Sequence, residues 1–294
     1  MSVYRSFLFT PGNHSRRVEK SLSLAADAVI LDLEDAVAND EKVATRALVV
    51  EALRSPRRCK AYVRVNALST DWAYGDIEAV VAPGLDGIVL PKVESASDLH
   101  TAEWMIASLE RARGLTPGAI DLMPIIETAR GYVALESIVR SGTRVRRVAF
   151  GAGDFTLDAG IRWTSAETEL LPYRSGVVVH SRAAGLEPPI DTVWVELRNT
   201  AGFEHCVQHV KDLGFQGKMC IHPDQIARVN QTFRQCCRAG AGASSGGRLC
   251  AGRARGAGGH PGGRSDGGLP HRACRPACVG PRGGDRQVSA DLSG

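Results

Sequence analysis

The first 235 residues alternate short apolar runs with longer stretches of helical period. Runs such as AVILDL and LMPII are apolar almost throughout, which is typical of parallel strands covered on both faces. The predicted strands cover residues 6–9, 28–33, 61–65, 87–90, 121–126, 147–150, 191–195 and 218–221. The stretches between them concentrate apolar residues on one helix face. They predict helices at residues 16–25, 41–53, 97–113, 131–140, 167–184 and 204–213.

The order of these elements predicts an α/β fold. Strands that alternate with helices form a parallel sheet, and eight strands close a (β/α)8 TIM barrel. The alternative is an open doubly wound sheet, which often carries a G-x-G-x-x-G turn after its first strand. The sequence Thr10-Pro11-Gly12-Asn13 stands at that place instead. We therefore predict a TIM barrel over residues 1–235.

Composition and charge change near Gln235. The whole chain has a formal net charge of +4. Residues 236–294 contain nine Arg, no Lys and three acidic residues, so this segment carries +6 and residues 1–235 carry −2. A mildly acidic barrel predicts no nucleic-acid partner. We predict that the Gly/Arg-rich C-terminal tail is disordered, because it has too few large apolar residues to form a core.

The origin of residues 236–294 has two interpretations. Gly, Ala, Arg, Pro and Cys dominate this segment, and we hypothesise that it is a frame-shifted translation of a GC-rich gene. The alternative is an Arg/Gly-rich arm that binds RNA. The segment contains no aromatic residue that would stack on bases, so we favour the first interpretation.

The remaining bulk features predict a cytoplasmic protein without a membrane partner. The three cysteines of residues 1–235, Cys59, Cys206 and Cys220, are far apart in the sequence, which is typical of a reduced compartment rather than of a disulfide framework. The first residues lack the features of a secretory signal. No apolar run reaches the roughly 18–20 residues that a membrane-spanning helix needs.

Polar side chains follow nearly every predicted strand, at the end where the open face of a TIM barrel lies. Glu127 directly follows the fifth strand, and Asp154 comes four residues after the end of the sixth; these two strands are neighbours in a barrel. Two close carboxylates repel each other unless a cation or a shared proton lies between them, and hard oxygen ligands suit Mg²⁺ or Mn²⁺. The alternative is that each acid stabilises the start of the following helix.

Further candidates for substrate binding lie at the second and third strands. Arg64 ends the third strand, and its planar guanidinium is suited to a substrate carboxylate. A salt bridge to Glu34 or Asp35 fits the spacing equally well. Alternation along a strand directs at most two of Asp32, Glu34 and Asp35 toward the mouth. We expect one of these acids to pair with a basic residue of the next helix.

Arg16, Arg17 and Lys20 lie in the first predicted helix, behind a turn that contains Gly12. A basic helix start behind such a turn can bind phosphate oxygens. The alternative is a solvated basic helix face.

Seven segments occur in order between about residues 4 and 234: RSFLFTPGNH, ADAVILDLEDAV, YVRVN, DGIVLPKVES, LMPIIETARG, FGAGDF and MCIHPDQI. Together they resemble the citrate lyase β-subunit-like group of the HpcH/HpaI aldolase superfamily. The resemblance implies a TIM barrel that binds Mg²⁺, or Mn²⁺ as an alternative, through Glu127 and Asp154. Arg64, with Glu127, would contact the substrate.

The same resemblance implies the roles of the remaining residues. Glu34 and Asp35 would contribute to catalysis, either by contacting the groups that bind the metal or by holding a metal-bound water. Arg16 and Lys20 would bind the phosphates of CoA. The subunits would form a homo-oligomer, either a trimer or a hexamer.

The activity implied is a Mg²⁺-dependent carbon–carbon lyase. It would cleave or form a 3-hydroxyacyl-CoA such as citryl-CoA or malyl-CoA, with an acyl-CoA and a 2-oxo acid as the products. Two alternatives stay open: a 4-hydroxy-2-oxoacid aldolase that acts without CoA, and an inactive barrel that serves as a binding subunit. We consider an inactive barrel because residues 236–294 do not match the lid that follows the barrel in the family.

Overall fold

The computed structural model of the protein describes residues 4–234. The predicted tail at residues 236–294 lies outside the described residues. Strands and helices alternate along the chain. In order they are β1 Ser6–Pro11, α1 Ser15–Ser23, β2 Ala28–Asp32, α2 Lys42–Leu53, β3 Lys60–Arg64, α3 Ala73–Val80, β4 Gly87–Leu90, α4 Ala96–Ala112, β5 Asp121–Ile126, α5 Ala129–Val133, α6 Leu135–Val139, β6 Ala149–Phe150, α7 Ala152–Asp158, α8 Leu171–Ala183, β7 Ile190–Asp191, α9 Thr200–Leu213, β8 Gly217–Cys220 and α10 Pro223–Thr232.

The eight strands form a closed parallel barrel in which each strand pairs with its neighbours in the sequence. The barrel closes between β1 and β8, with Ser6 opposite Lys218 and Leu8 opposite Cys220. The predicted (β/α)8 TIM barrel is therefore confirmed. All eight strands point in one direction, so their carboxyl ends and the loops that follow them form one face.

Side chains alternate between the barrel interior and the layer of helices. Ile30 lies inside the barrel, whereas Val29 and Leu31 on the same strand pack toward the helices. Both sets are fully buried, which explains why the strands are apolar on both faces. The interior is filled by Phe7, Ala28, Ile30, Tyr62, Val89, Met123, Ile125, Ala149, Ile190 and Met219.

The seventh strand is shorter than the apolar pattern predicts. We expected residues 191–195, but β7 ends at Asp191. The next residues bond to helices instead of to a neighbouring strand: Thr192 accepts a hydrogen bond from the Ala152 N–H, and the Trp194 carbonyl accepts one from Gln225. An apolar run does not distinguish strand pairing from contacts of this kind, and the last residue of this run, Val195, is exposed.

The predicted helix at residues 167–184 begins with a 3₁₀ turn at Thr168–Leu170 and continues as α8. Pro172 lies in the first turn of α8, where a helix does not need its missing N–H. Within residues 4–234, no helix combines the length and the apolar character needed to cross a membrane.

Candidate active site

Seven charged side chains gather at the carboxyl ends of β2 to β6. Five are carboxylates and two are cationic, so the cluster carries an excess of negative charge. Its members, which we call the mouth cluster, are Asp32, Glu34, Asp35, Arg64, Lys92, Glu127 and Asp154.

Glu127 directly follows β5 and is buried. Its Oε1 accepts a hydrogen bond of 2.8 Å from the Lys92 N–H. Thr128, rather than Glu127, caps α5, because the Thr128 hydroxyl accepts the Gly131 N–H. Burial, together with the negative charges of Glu34 and Asp154, raises the pKa of Glu127 to about 8. Glu127 is thus free of a capping role and lies where a nearby cation would favour its charged form.

The Glu127 side chain fits because residue 151, at the start of α7, is glycine. A Cβ atom at Gly151 would lie 2.6 Å from Glu127 Oε2 and 2.8 Å from Ile125 Cγ2. Asp154 lies in the first turn of α7, where a negative charge is favourable. Its side chain is 34% exposed and can therefore reach a ligand from solvent.

Arg64 is enclosed by carboxylates. Its Nε and Nη2 donate to the two oxygens of Asp32 at 2.7 and 2.6 Å. Its Nη1 donates to Asp35 at 3.2 Å and lies 3.0 Å from Glu34 Oε2. The guanidinium also lies over the Phe9 ring, 4.7 Å from its centre. The salt bridges to Glu34 and Asp35 expected as one alternative are present, and Asp32 fixes the orientation of the guanidinium.

The expected pairing of a second-strand acid with the next helix is wrong. Two of these acids, Asp32 and Glu34, are buried, and both pair with Arg64 rather than with α2. The contact with Arg64 keeps the pKa of Asp32 low despite its burial. Lys42 of α2 donates to two backbone carbonyls, and Arg46 pairs with Asp76 of α3. Charge complementarity alone did not identify the partners, because several acids lie within reach of each base.

Lys92 was not among the site residues predicted from the sequence. It follows β4, and its ammonium lies 2.5 Å from Glu34 Oε1 and 3.3 Å from Asp154 Oδ2. The sequence did contain a signal for Lys92. Only Pro91 separates Lys92 from the apolar strand β4, and the predicted site residues likewise lie at or just after strand ends.

The donor atoms of the mouth cluster fit a divalent cation. Among the described residues, Glu34 Oε2 is buried without a hydrogen-bond donor; Arg64 Nη1 is close enough for an ion pair but not aligned for a hydrogen bond. Glu127 and Asp154 offer the hard carboxylate oxygens that Mg²⁺ prefers. No group of three His, Cys, Asp or Glu within residues 4–234 forms a complete metal cage. Water or substrate oxygens would therefore complete the coordination.

A groove of about 430 Å³ lies beside the mouth cluster, between α1 and the start of α10. Arg17 and Lys20 line it together with Phe9 and His222. His222 has a structural role, since its ring accepts the Asp224 N–H and caps α10. The predicted phosphate-binding pair is thus divided: Lys20 lines the groove, whereas Arg16 is exposed on α1 and does not line it.

Residues 5–223 match the sequence profile of the family described as HpcH/HpaI aldolase/citrate lyase. Citrate lyase subunit beta from Escherichia coli strain K12 is 39% identical over 231 residues, which cover 78% of this chain and 76% of that protein. The chain belongs to the HpcH/HpaI aldolase/citrate lyase family. Membership confirms the resemblance seen in the sequence and the predicted class of enzyme, a carbon–carbon lyase.

Other members of the HpcH/HpaI family match a similar share of the chain. L-malyl-CoA/beta-methylmalyl-CoA lyase from Cereibacter sphaeroides strain ATCC 17029 is 31% identical over 251 residues, with 78% of each protein covered. Among solved structures, protein CitE from Mycobacterium tuberculosis in complex with magnesium, acetoacetate and coenzyme A has a TM-score of 0.66 and 28% identity. That match covers 80% of this chain and 83% of the other.

Proposed function

We propose that the protein is a Mg²⁺-dependent lyase that cleaves or forms a 3-hydroxyacyl-CoA of the citryl-CoA or malyl-CoA type. The observation that carries the proposal is the mouth cluster, in which Glu127 and Asp154 provide hard oxygen ligands beside a fixed guanidinium. The relatives named for citrate and malyl-CoA chemistry support the substrate class. The CitE complex with magnesium and coenzyme A supports the cofactor and the thioester.

Arg64 is placed to bind the acidic part of the substrate. Asp32 holds two of its nitrogens, so the guanidinium keeps its direction while Nη1 exchanges partners. Asp35 is the partner that can leave, because its side chain is 54% exposed, whereas Glu34 is buried. A substrate carboxylate that replaces Asp35 on Nη1 would retain the charge balance of the guanidinium.

Asp35, once displaced, is also the carboxylate that can accept the proton of the substrate hydroxyl. Glu34 lies between Arg64 and Lys92 and orients both. Loss of the hydroxyl proton forms the carbonyl of the 2-oxo acid as the carbon–carbon bond breaks. The electrons of that bond remain on the acyl-CoA as an enolate, which then takes up a proton. When bound, Mg²⁺ supplies a Lewis acid that polarises and orients the 2-oxo acid portion.

The groove beside α1 is suited to the CoA portion. Arg17 and Lys20 offer positive charge to phosphates, and Phe9 connects the groove to the mouth, since its ring also packs against Arg64. A thioester that follows this path would bring its reacting end to the carboxylates. An aldolase that uses free acids would not need the basic groove.

A panel of hydroxyacyl-CoA esters, assayed with and without EDTA, tests the proposal. We expect citryl-CoA or malyl-CoA to release oxaloacetate or glyoxylate only when Mg²⁺ is present. Glu127→Gln removes a metal ligand with little change in shape, and we expect kcat/KM to fall by about 100-fold or more. The matched control, Glu136→Gln, changes an exposed acid on α6 and should leave the rate unchanged.

Two results would contradict the proposal. One is turnover by Glu127→Gln at the wild-type rate, which would remove Glu127 from the site. The other is cleavage of free 4-hydroxy-2-oxo acids without any stabilisation by CoA in a thermal-shift assay. That result would instead identify the aldolase alternative.

A further inference from the structure

Lys92 touches four of the five acids of the mouth cluster. Its ammonium lies 2.5 Å from Glu34, 3.3 Å from Asp154 and 3.9 Å from Asp35. Its backbone N–H donates to Glu127 at 2.8 Å. A single residue thus contacts both proposed metal ligands, Glu127 through the backbone and Asp154 through the side chain.

The backbone of Lys92 is strained to achieve this arrangement. Its φ angle is +50°, and Glu167 is the one other non-glycine residue with a positive φ among residues 4–234. A residue with a Cβ atom rarely adopts this conformation unless its surroundings enforce it. Here the conformation directs the N–H and the ammonium toward the same group of carboxylates. The strain therefore indicates that both contacts matter to the site.

We infer that the Lys92 ammonium competes with the divalent cation for Asp154 and thereby sets the metal affinity of the site. The inference rests on the proposed function, since it takes Glu127 and Asp154 as the metal ligands. A lysine ammonium carries a full positive charge at neutral pH. A divalent cation on the same carboxylate would be repelled by it at short range, where Coulomb interactions in a partly buried site are strong. Lys92 is thus a positioning residue that weakens metal binding.

The same contacts link metal binding to substrate binding. If the cation takes Asp154, the ammonium still has Glu34 at 2.5 Å and Asp35 at 3.9 Å as partners. An incoming 2-oxo acid brings a carboxylate to Arg64, which shares Glu34 and Asp35 with Lys92, so its negative charge also offsets the charge of the ammonium. Metal and acid substrate should therefore bind with positive cooperativity, which is reciprocal between the two ligands.

Calorimetric titration of Mg²⁺ tests the inference without any assay of turnover. Two variants remove the ammonium: Lys92→Met keeps much of the side-chain length, and Lys92→Gly suits the positive φ and retains the N–H that binds Glu127. We expect both to bind Mg²⁺ about tenfold more tightly than the wild type. Lys92→Arg keeps the charge and should stay within about threefold of the wild type. The control variant is Lys60→Met, at the amino end of β3. It removes the same charge far from the mouth and should leave the affinity for Mg²⁺ unchanged.

A second titration measures the cooperativity. We expect saturating pyruvate or oxaloacetate to tighten Mg²⁺ binding several-fold in the wild type and clearly less in Lys92→Gly. A residue that merely supports the loop would give the opposite pattern, because its loss would weaken Mg²⁺ binding. Equal or weaker Mg²⁺ binding by a folded Lys92→Gly therefore overturns the inference.

The titrations also separate this inference from the proposed function. If Mg²⁺ binds to the wild type and to Glu127→Gln equally, or to neither, the proposed metal site is wrong. If Mg²⁺ binds to the wild type but not to Glu127→Gln, and Lys92→Gly shows no gain in affinity, only the role of Lys92 is wrong. Thermal unfolding of each variant shows whether it has folded. If Lys92→Met has not folded, the Mg²⁺ titration of Lys92→Gly alone decides the test.

Discussion

A buried carboxylate needs a space of the right shape as well as the right charge around it. Glu127 occupies such a space because Gly151 has no side chain, and the Glu127 Oε2 atom lies where a Cβ of residue 151 would collide with it. Gly153, two residues later, faces solvent. A Cβ atom there would meet only a Trp163 ring atom at 3.8 Å. The space that Glu127 occupies therefore requires glycine at residue 151, whereas residue 153 could carry a side chain.

Gly151→Ala should displace Glu127 and damage the site. We expect the free energy of unfolding to fall by about 1–3 kcal/mol because the interior is overpacked, and Mg²⁺ binding to weaken because the carboxylate moves. Urea denaturation and calorimetry measure the two effects. Gly153→Ala is the matched control and should leave both unchanged or slightly raise stability, since Ala favours a helix. If Gly151→Ala matched the wild type in both stability and Mg²⁺ affinity, Glu127 would be able to move aside without loss of either.

The sequence identifies some of these residues and not others for a physical reason. Arg64 ends an apolar strand, Glu127 directly follows one and Asp154 lies four residues after one, so the hydrophobic pattern places them at the carboxyl face. The same pattern says nothing about pairing, which depends on distances between strands. The bidentate contact of Asp32 with Arg64 and the position of Lys92 among the acids therefore required the three-dimensional structure.

At the scale of elements, a buried ionic network fixes α8 against the last two strands. Arg174 of α8 bonds to Asp191 of β7 at 2.8 Å and to Glu167 at 2.9 Å, and Lys218 of β8 lies 2.5 Å from Asp191. The Cys206 thiol of α9 donates to Glu167. All five residues are buried. The network ties four segments together and has equal numbers of acidic and basic groups, so no charge is left uncompensated.

Arg174→Met should be strongly destabilising because it leaves Glu167 buried without its cation. We expect the free energy of unfolding to fall by about 3–5 kcal/mol. Arg140→Met removes an arginine from an exposed pair with Glu136 and should change stability by less than about 1 kcal/mol. Urea denaturation of both variants makes the comparison. If Arg174→Met lowered the free energy of unfolding as little as Arg140→Met, the network around Arg174 would be dispensable for stability.

Element prediction succeeded for the longest helices and failed for several of the shorter ones. The pattern located α2 and α4 to within a residue or two, because each spans three or more turns. It missed α3, α7 and α10, which have eight, seven and ten residues, because two or three turns carry little periodic signal. The site was affected directly, since α7 carries Asp154.

At the scale of the whole molecule, barrel closure makes distant segments depend on one another. Cys59, Cys206 and Cys220 lie before β3, in α9 and in β8, and all three are buried. Burial raises the pKa of Cys206 and Cys220 to about 12, and it also raises the pKa of Cys59. These thiols are therefore both inaccessible and poorly ionised in the folded barrel.

The three thiols should become reactive together as the barrel unfolds. We expect alkylation of residues 59, 206 and 220, mapped by mass spectrometry along a urea series, to show one common midpoint. Cooperative unfolding of a single core is the reason. Exposure of Cys206 at lower urea than Cys59 would instead show that the C-terminal half of the barrel opens first.

The closure between β1 and β8 also has a kinetic consequence. Arg5 and Ser6 bond to Asn230 of α10, across more than 220 residues of intervening chain. Contacts of such long range form late in folding, because the entropy of closing a large loop must be overcome first. The groove that holds Lys20 and His222 has walls from both ends of this closure. A partly folded chain therefore has no such groove, and occupancy of the groove would report that folding is complete.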